Sequence, residues 1–141
     1  MSGCGGSDSP AAQPPASSGS ASATTAELGA LIEAEDAAIY AYGVIGAHLA
    51  GAQQARAVVA LQAHRRLRDD WVNAATVAGE EIPPAAIAYD LPIEVRDSST
   101  ALALATEIET RMIAVYESAG KPAAEALARA RTRLAHLTAS S

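Results

Sequence analysis

Phenylalanine is absent from this chain, and aromatic side chains make up only 4% of its 141 residues. What fills their place is mostly Ala, Leu and Glu, a composition that favours helix. Cysteine occurs once, at Cys4, so no internal disulfide can form and pairing says nothing about redox compartment. Basic residues are outnumbered, 10 Lys and Arg against 16 Asp and Glu, for a formal net charge of −6. That balance argues against nucleic acid as a partner, because phosphate contacts need a basic surface. The one basic cluster, "HRRLRDD", runs straight into two Asp and reads as a solvated helix face with local ion pairs. No apolar run reaches the roughly 18 residues of a membrane span, and no signal-peptide h-region is present. The motif "GCGG" has no strand before it to make a phosphate loop, and no Ser has a His and an Asp arranged to activate it.

Residues 1–24, "MSGCGGSDSPAAQPPASSGSASAT", are nearly all Ser, Gly, Pro and Ala. They cannot build a core and are expected to be a disordered tether. The segment "SGCGGS" followed by this tether resembles the start of a mature bacterial lipoprotein, in which a Cys after small residues carries the lipid. The resemblance implies Cys4 as the lipidation site of a longer precursor, its start Met replacing a removed signal peptide. The domain would then be anchored at the cell envelope, with contact to a membrane only through that lipid. The alternative is a cytoplasmic protein with an incidental Cys in its tail.

Residues 25–141 form the folded part, enough for one modest core. "TTAEL" offers Thr24 as N-cap with Glu27 three residues on, a capping box that opens the first helix. Its apolar stripe includes Leu28, Leu31, Ile32, Tyr42, Ile45 and Leu49, spaced by threes and fours, and Gly51 is expected to end it. A second helix runs from about Ala52 to Ala78, with Val58, Leu61, Trp71, Val72 and Ala75 inward and Gly79 closing it. Three prolines break the next stretch, Gly79 to Asp97. Its apolar residues Ile82, Ile87, Tyr89, Leu91, Ile93 and Val95 predict an extended strap across the helices. A third helix, capped by Asp97 or Ser98, turns Leu102, Ile108, Met112 and Tyr116 inward. "GKP" at 120–122 stops it and opens a fourth helix with Leu127, Ala130, Leu134 and Leu137 facing the core. Two helix pairs joined by a long strap make an all-α four-helix bundle with one long crossover between helices 2 and 3. That connectivity is the ferritin-like one.

Two carboxylates stand where leucines belong. Positions 28, 35, 42 and 49 form one heptad row reading Leu, Glu, Tyr, Leu, and 102, 109 and 116 read Leu, Glu, Tyr. Glu35 and Glu109 therefore point inward, each seven residues before a tyrosine, whereas Glu33 and Glu107 lie off the row and are expected in solvent. An unpaired buried carboxylate costs several kcal/mol, so each needs a partner or a proton. Glu35 and His64 are nearly equidistant from the turn at Gly51. Glu109 and His136 are nearly so from the turn at 120–122, which predicts a common depth in the bundle. Two Glu and two His at one depth are donors for a transition metal.

The stretches "EDAAIYAYG", "LQAHRRLRDDW", "AYDLP" and "EIETRMIAVY" resemble the ferritin-like superfamily, and most closely an Ala-rich actinobacterial family of ferritin-like domains. Di-iron members of that superfamily supply one Glu from each of helices 1 and 3 and a Glu-x-x-His pair from each of helices 2 and 4. The resemblance implies Glu35 and Glu109 as terminal carboxylates and Tyr42 as a tyrosine beside the site. Both bridging acids are missing, for Leu61 stands three residues before His64 and Arg133 three before His136. The expectation is thus a degenerate site and a non-enzymatic binding or assembly domain with no cofactor. Arg68, one turn beyond His64, is predicted to fork between Glu35 and Glu109, with His64, Tyr42 and Tyr116 completing a buried polar network. The alternative is an oxidase-type or iron-handling protein binding Fe or Mn through Glu35, His64, Glu109 and His136, or a single ion through the first three. Trp71 is expected in the core and His48 in solvent near a helix end. An Ala-rich bundle of this size is also expected to self-associate as a homodimer.

Overall fold

The computed structural model describes residues 24–139, and Cys4 with the expected tether lies outside the described residues. Four α-helices follow one another: α1 (Thr25–Ala47), α2 (Gly51–Val77), α3 (Ser98–Ala119) and α4 (Ala124–Ala139), the last entered through a 3-10 turn at Lys121–Ala123. They make the four-helix bundle expected from the heptad rows.

Each start and stop has a local cause. Thr24 caps α1 in the capping box, its hydroxyl accepting from the Glu27 amide while the Glu27 carboxylate accepts from the Thr24 amide at 2.6 Å. Asp97 caps α3, accepting from the Thr100 amide at 2.8 Å and from the Thr100 hydroxyl at 2.9 Å. α2 ends in a Schellman motif: Glu80 N–H donates to Ala75 C=O at 2.9 Å and Gly79 N–H to Thr76 C=O at 3.0 Å. Gly79 takes φ +75 there, a left-handed conformation that side-chain-bearing residues enter only at a cost. Gly51, expected to end α1, instead begins α2 with φ +57, after α1 has closed at His48.

Alanine sets how closely the helices approach. Ala38, Ala41, Ala57, Ala60, Ala105 and Ala130 are all buried, and each lets a neighbouring backbone come near. The bulk between them comes from Leu31, Ile45, Leu104 and Tyr116, each fully buried and worth about 1.5–3 kcal/mol of apolar transfer. Val58, expected inward, is 48% exposed, because the buried face of α2 is carried by Ala57, Ala60, His64 and Ala75.

The strap at 79–97 runs extended from α2 to α3. Leu91, Ile93 and Val95 pack on the main core while Pro92, Glu94 and Arg96 between them face solvent, the alternation of an extended backbone. Ile82 joins Leu28, Ile32, Ala75 and Trp71 in a smaller cluster, and the Tyr89 ring packs against Tyr40 with centroids 5.8 Å apart. Ile87, expected to pack, is fully exposed at the bend of the strap.

Removing the α3 cap tests how much the crossover depends on it. Asp97→Ala should lower stability by about 1 kcal/mol in urea unfolding, since it orphans amides of the first turn. A variant as stable as the parent would mean that water caps the helix equally well.

Candidate functional site: a buried carboxylate cluster

The middle of the bundle is charged. Glu35 on α1, His64 on α2 and Glu109 on α3 are each fully buried, among the largest fully buried side chains of the described residues. His64 lies between the two acids. Its Nδ1 is 2.7 Å from Glu35 Oε2 and its Nε2 is 3.3 Å from Glu109 Oε1. A neutral imidazole has only one N–H, so donating to a carboxylate on each side requires the doubly protonated ring.

The duplicated Glu and Tyr pairs turn out to be reciprocal. Tyr42 of α1 donates to Glu109 of α3 at 2.6 Å, and Tyr116 of α3 donates to Glu35 of α1 at 2.6 Å. As residue numbers rise along α1, their partners fall along α3, so the two helices are antiparallel and locked in one register. The Tyr42 ring also stacks on His64 with centroids 5.3 Å apart. Trp71 adds a long bond of 3.5 Å from its indole N–H to Glu35 Oε1.

The second cation comes from α4. Arg133 donates through Nε to Glu109 Oε1 at 2.7 Å. Two carboxylates thus meet one imidazolium and one guanidinium, and the cluster is neutral overall. Glu109 Oε1 accepts from Tyr42, His64 and Arg133 together, whereas Glu109 Oε2 and Arg133 Nη2 are buried without a partner.

The electrostatics follow from this packing. Burial disfavours the charged ring of His64, but its hydrogen bonds to Glu109 and Glu35 and their charges outweigh that, and its pKa is raised. Burial also works against ionised Glu109, yet hydrogen bonds from His64 and Arg133 hold its carboxyl below the ordinary value. Burial, then the nearby carboxylates, pushes the Tyr42 and Tyr116 hydroxyls far up, so both remain donors. For Arg133 burial is opposed by the bond to Glu109, and the guanidinium stays charged.

The structure thus gathers Glu35, Tyr42, His64, Glu109 and Tyr116, and it leaves out two residues expected beside them. Arg68 does not fork between Glu35 and Glu109. It binds Asp36 at 3.0 Å and Asp69 at 2.8 Å toward the surface. Position 68 is 40° round the helix from 64, which sets its guanidinium beside the buried Asp36 and the exposed Asp69 instead. His136 is exposed on α4 and outside the cluster. Arg133, the residue that sequence reasoning missed, had a signal: Lys121 stands midway between Glu109 and Arg133.

These side chains do not fit a di-iron centre. Each imidazole nitrogen faces its own carboxylate, so the three groups form a line with the ring in the middle instead of converging on a point. Leu61 and Arg133 stand where bridging carboxylates would be needed. Among the described residues, no group of three or more His, Cys, Asp and Glu side chains is disposed to hold a metal ion.

The two arginines should differ sharply on substitution. Arg133→Met, which strips a partner from a fully buried carboxylate, should cost about 3–5 kcal/mol in urea unfolding at neutral pH. Arg68→Ala, which takes a partner from Asp36 at 8% exposure but removes a guanidinium already 30% exposed, should cost less, about 1–2 kcal/mol. Equal losses would remove Arg133 from the centre of the site.

A pH series reads the cluster directly. Glu109 has a folded pKa below its ordinary 4.5, so its contribution is complete above that pH and is lost as pH falls through the lowered value. His64 has a folded pKa above its ordinary 6.5, so its contribution is complete below that pH and fades as pH rises through the raised value. Unfolding midpoints should therefore be highest between about pH 4.5 and 6.5, and His64→Gln should abolish the alkaline decline. An alkaline decline that survives in that variant would trace it to another group.

No curated protein matches the chain. It is similar to the crystal structure of a conserved hypothetical protein, rv2844, from Mycobacterium tuberculosis. The two share 29% identity over 87% of this chain and 93% of that one, with a TM-score of 0.66. The family model described as a domain of unknown function, DUF4439, matches residues 27–141, and the chain belongs to that family.

Proposed function

We propose that this is a non-enzymatic binding domain of ferritin-like connectivity in which the protein's own cations, His64 and Arg133, stand in for metal. The observation that carries the reading is His64, with one ring nitrogen on each buried carboxylate. A ring so engaged has no lone pair to give a metal. Arg133 completes the charge balance from the position where the superfamily's Glu-x-x-His motif would place a bridging acid, and it contributes a positive charge there instead. The charges of the carboxylates are balanced by His64 and Arg133 and the phenols are held as donors, an arrangement that favours a structural centre over a catalytic one. What such a centre does is fix helix register around a neighbouring cavity of about 310 Å³, within the range of small-molecule sites.

Elemental analysis tests the proposal. Protein refolded with Fe(II), Mn(II) or Zn(II) and desalted should carry far less than one equivalent of any of them, and should unfold at the same urea concentration as chelator-treated protein. One equivalent of bound metal that disappears in Glu35→Gln/Glu109→Gln would overturn it in favour of an iron- or manganese-handling protein.

A further inference from the structure

The cavity lies where α2 and α4 face each other. Packing in the bundle runs mainly from α1 to α2, from α1 to α3 and from α3 to α4. α2 turns Ala57 and Ala60 toward the gap, too small to fill it, and Ile45, Leu49, Leu102 and Leu137 supply apolar walls. At roughly 30 Å³ for a water-sized unit, about 310 Å³ holds on the order of ten non-hydrogen atoms.

The charges around it are of one sign. The whole chain carries −6, yet among the described residues the charged or chargeable side chains lining this cavity are Arg56, Arg133 and His136, with no Asp or Glu. Arg133 is shared between the cluster and the cavity wall. Its Nε is committed to Glu109, while its Nη2 has no acceptor. That nitrogen is closed off from the cavity, so what Arg133 offers a ligand there is the positive charge of its guanidinium. Arg56, exposed at the rim, adds a second positive charge to the same wall.

We infer that the cavity binds a medium-chain fatty carboxylate, of about eight to ten carbons, with its aliphatic tail against Leu49, Leu102 and Leu137 and its head held by the positive charges of Arg56 and Arg133. Apolar walls alone would suit any greasy molecule. The all-basic lining selects the anion, because a free amine would meet Arg56 and Arg133 with no acid to balance it. The inference rests on the reading above only in taking Arg133 to be held by Glu109 rather than displaced by metal.

Calorimetric titration of the chelator-treated protein with decanoate, decan-1-ol and decylammonium tests the assignment. Decanoate should bind at one site with a Kd on the order of 10–100 μM, as the atom count allows. Decanol should bind at least tenfold more weakly and decylammonium not at all. The Arg133 side-chain 15N resonances should shift on saturation with decanoate. Arg56→Glu should weaken decanoate binding about tenfold or more, and Ala60→Phe, which fills the cavity, should abolish it while the helical circular dichroism is retained. Decanol matching decanoate, full affinity in Ala60→Phe, no saturable binding at 1 mM, or binding seen only with phosphatidylglycerol vesicles would each overturn the assignment. Decanoate binding that appears only after Fe(II) or Mn(II) is added would instead defeat the metal-free reading and leave the cavity's ligand class standing.

Discussion

Two carboxylates on antiparallel helices cannot share a dry interior unless positive charge lies between them. That constraint organises this bundle. Left ionised and unpaired, each would cost several kcal/mol, a large part of the 5–15 kcal/mol a domain has in total. His64 and Arg133 offset the charge from two further helices, so each of α1, α2, α3 and α4 contributes one ionised group to a single cluster. No helix can slide by one turn without breaking a charge-assisted bond, which an alanine-lined interface alone would not prevent. The tyrosines add a second lock, since Tyr42 and Tyr116 each serve the opposite helix's acid and fix both direction and register of α1 against α3. Such a core adds less to stability than a well-packed apolar one would, and its benefit is a specified arrangement.

Small side chains and the polar centre depend on each other. Alanines at 38, 41, 57, 60, 105 and 130 draw the helices close enough for short side chains to meet across the bundle. The same alanines leave few large apolar groups to resist misregistry, a task that falls to the charged cluster. Between α2 and α4 the argument reverses. There Ala57 and Ala60 face a gap that no large residue fills, and a cavity remains beside the cluster.

Much of this was legible in the sequence because heptad rows report which face a residue occupies. Glu35, Tyr42, Glu109 and Tyr116 fell on rows otherwise held by leucine, and counting from the turn placed His64 at the depth of Glu35. Counting also pointed to the cation of α4, since Glu109 and Arg133 stand equally far from Lys121 while His136 lies three residues beyond. Arg133 reads instead as the replacement for a missing bridging acid, which hides its role as the cation of the cluster. Arg68 misled for a different reason: it lies one turn from His64, but the 40° offset sets it beside Asp36, a buried acid off the heptad rows, and exposed Asp69. The reciprocal crossing of the tyrosines was hidden too, since a repeated motif shows that two helices are alike without showing that each serves the other.

The cluster is over-supplied at one atom and short at another. Glu109 Oε1 takes three donors while Glu109 Oε2 takes none, and Arg133 leaves Nη2 without an acceptor. A full two-pronged pairing would have set both arginine nitrogens on both oxygens. Tyr42 and His64 converge on Oε1, so the single Nε contact joins them there while the second prong goes unused. The geometry that neutralises the buried charge therefore leaves one guanidinium nitrogen of a wall residue uncommitted. That nitrogen is closed to solvent, so the unused prong stays inside the protein although the same side chain lines the cavity. In this fold, the cation that neutralises Glu109 also lines the neighbouring cavity, so the buried cluster and the cavity share one side chain.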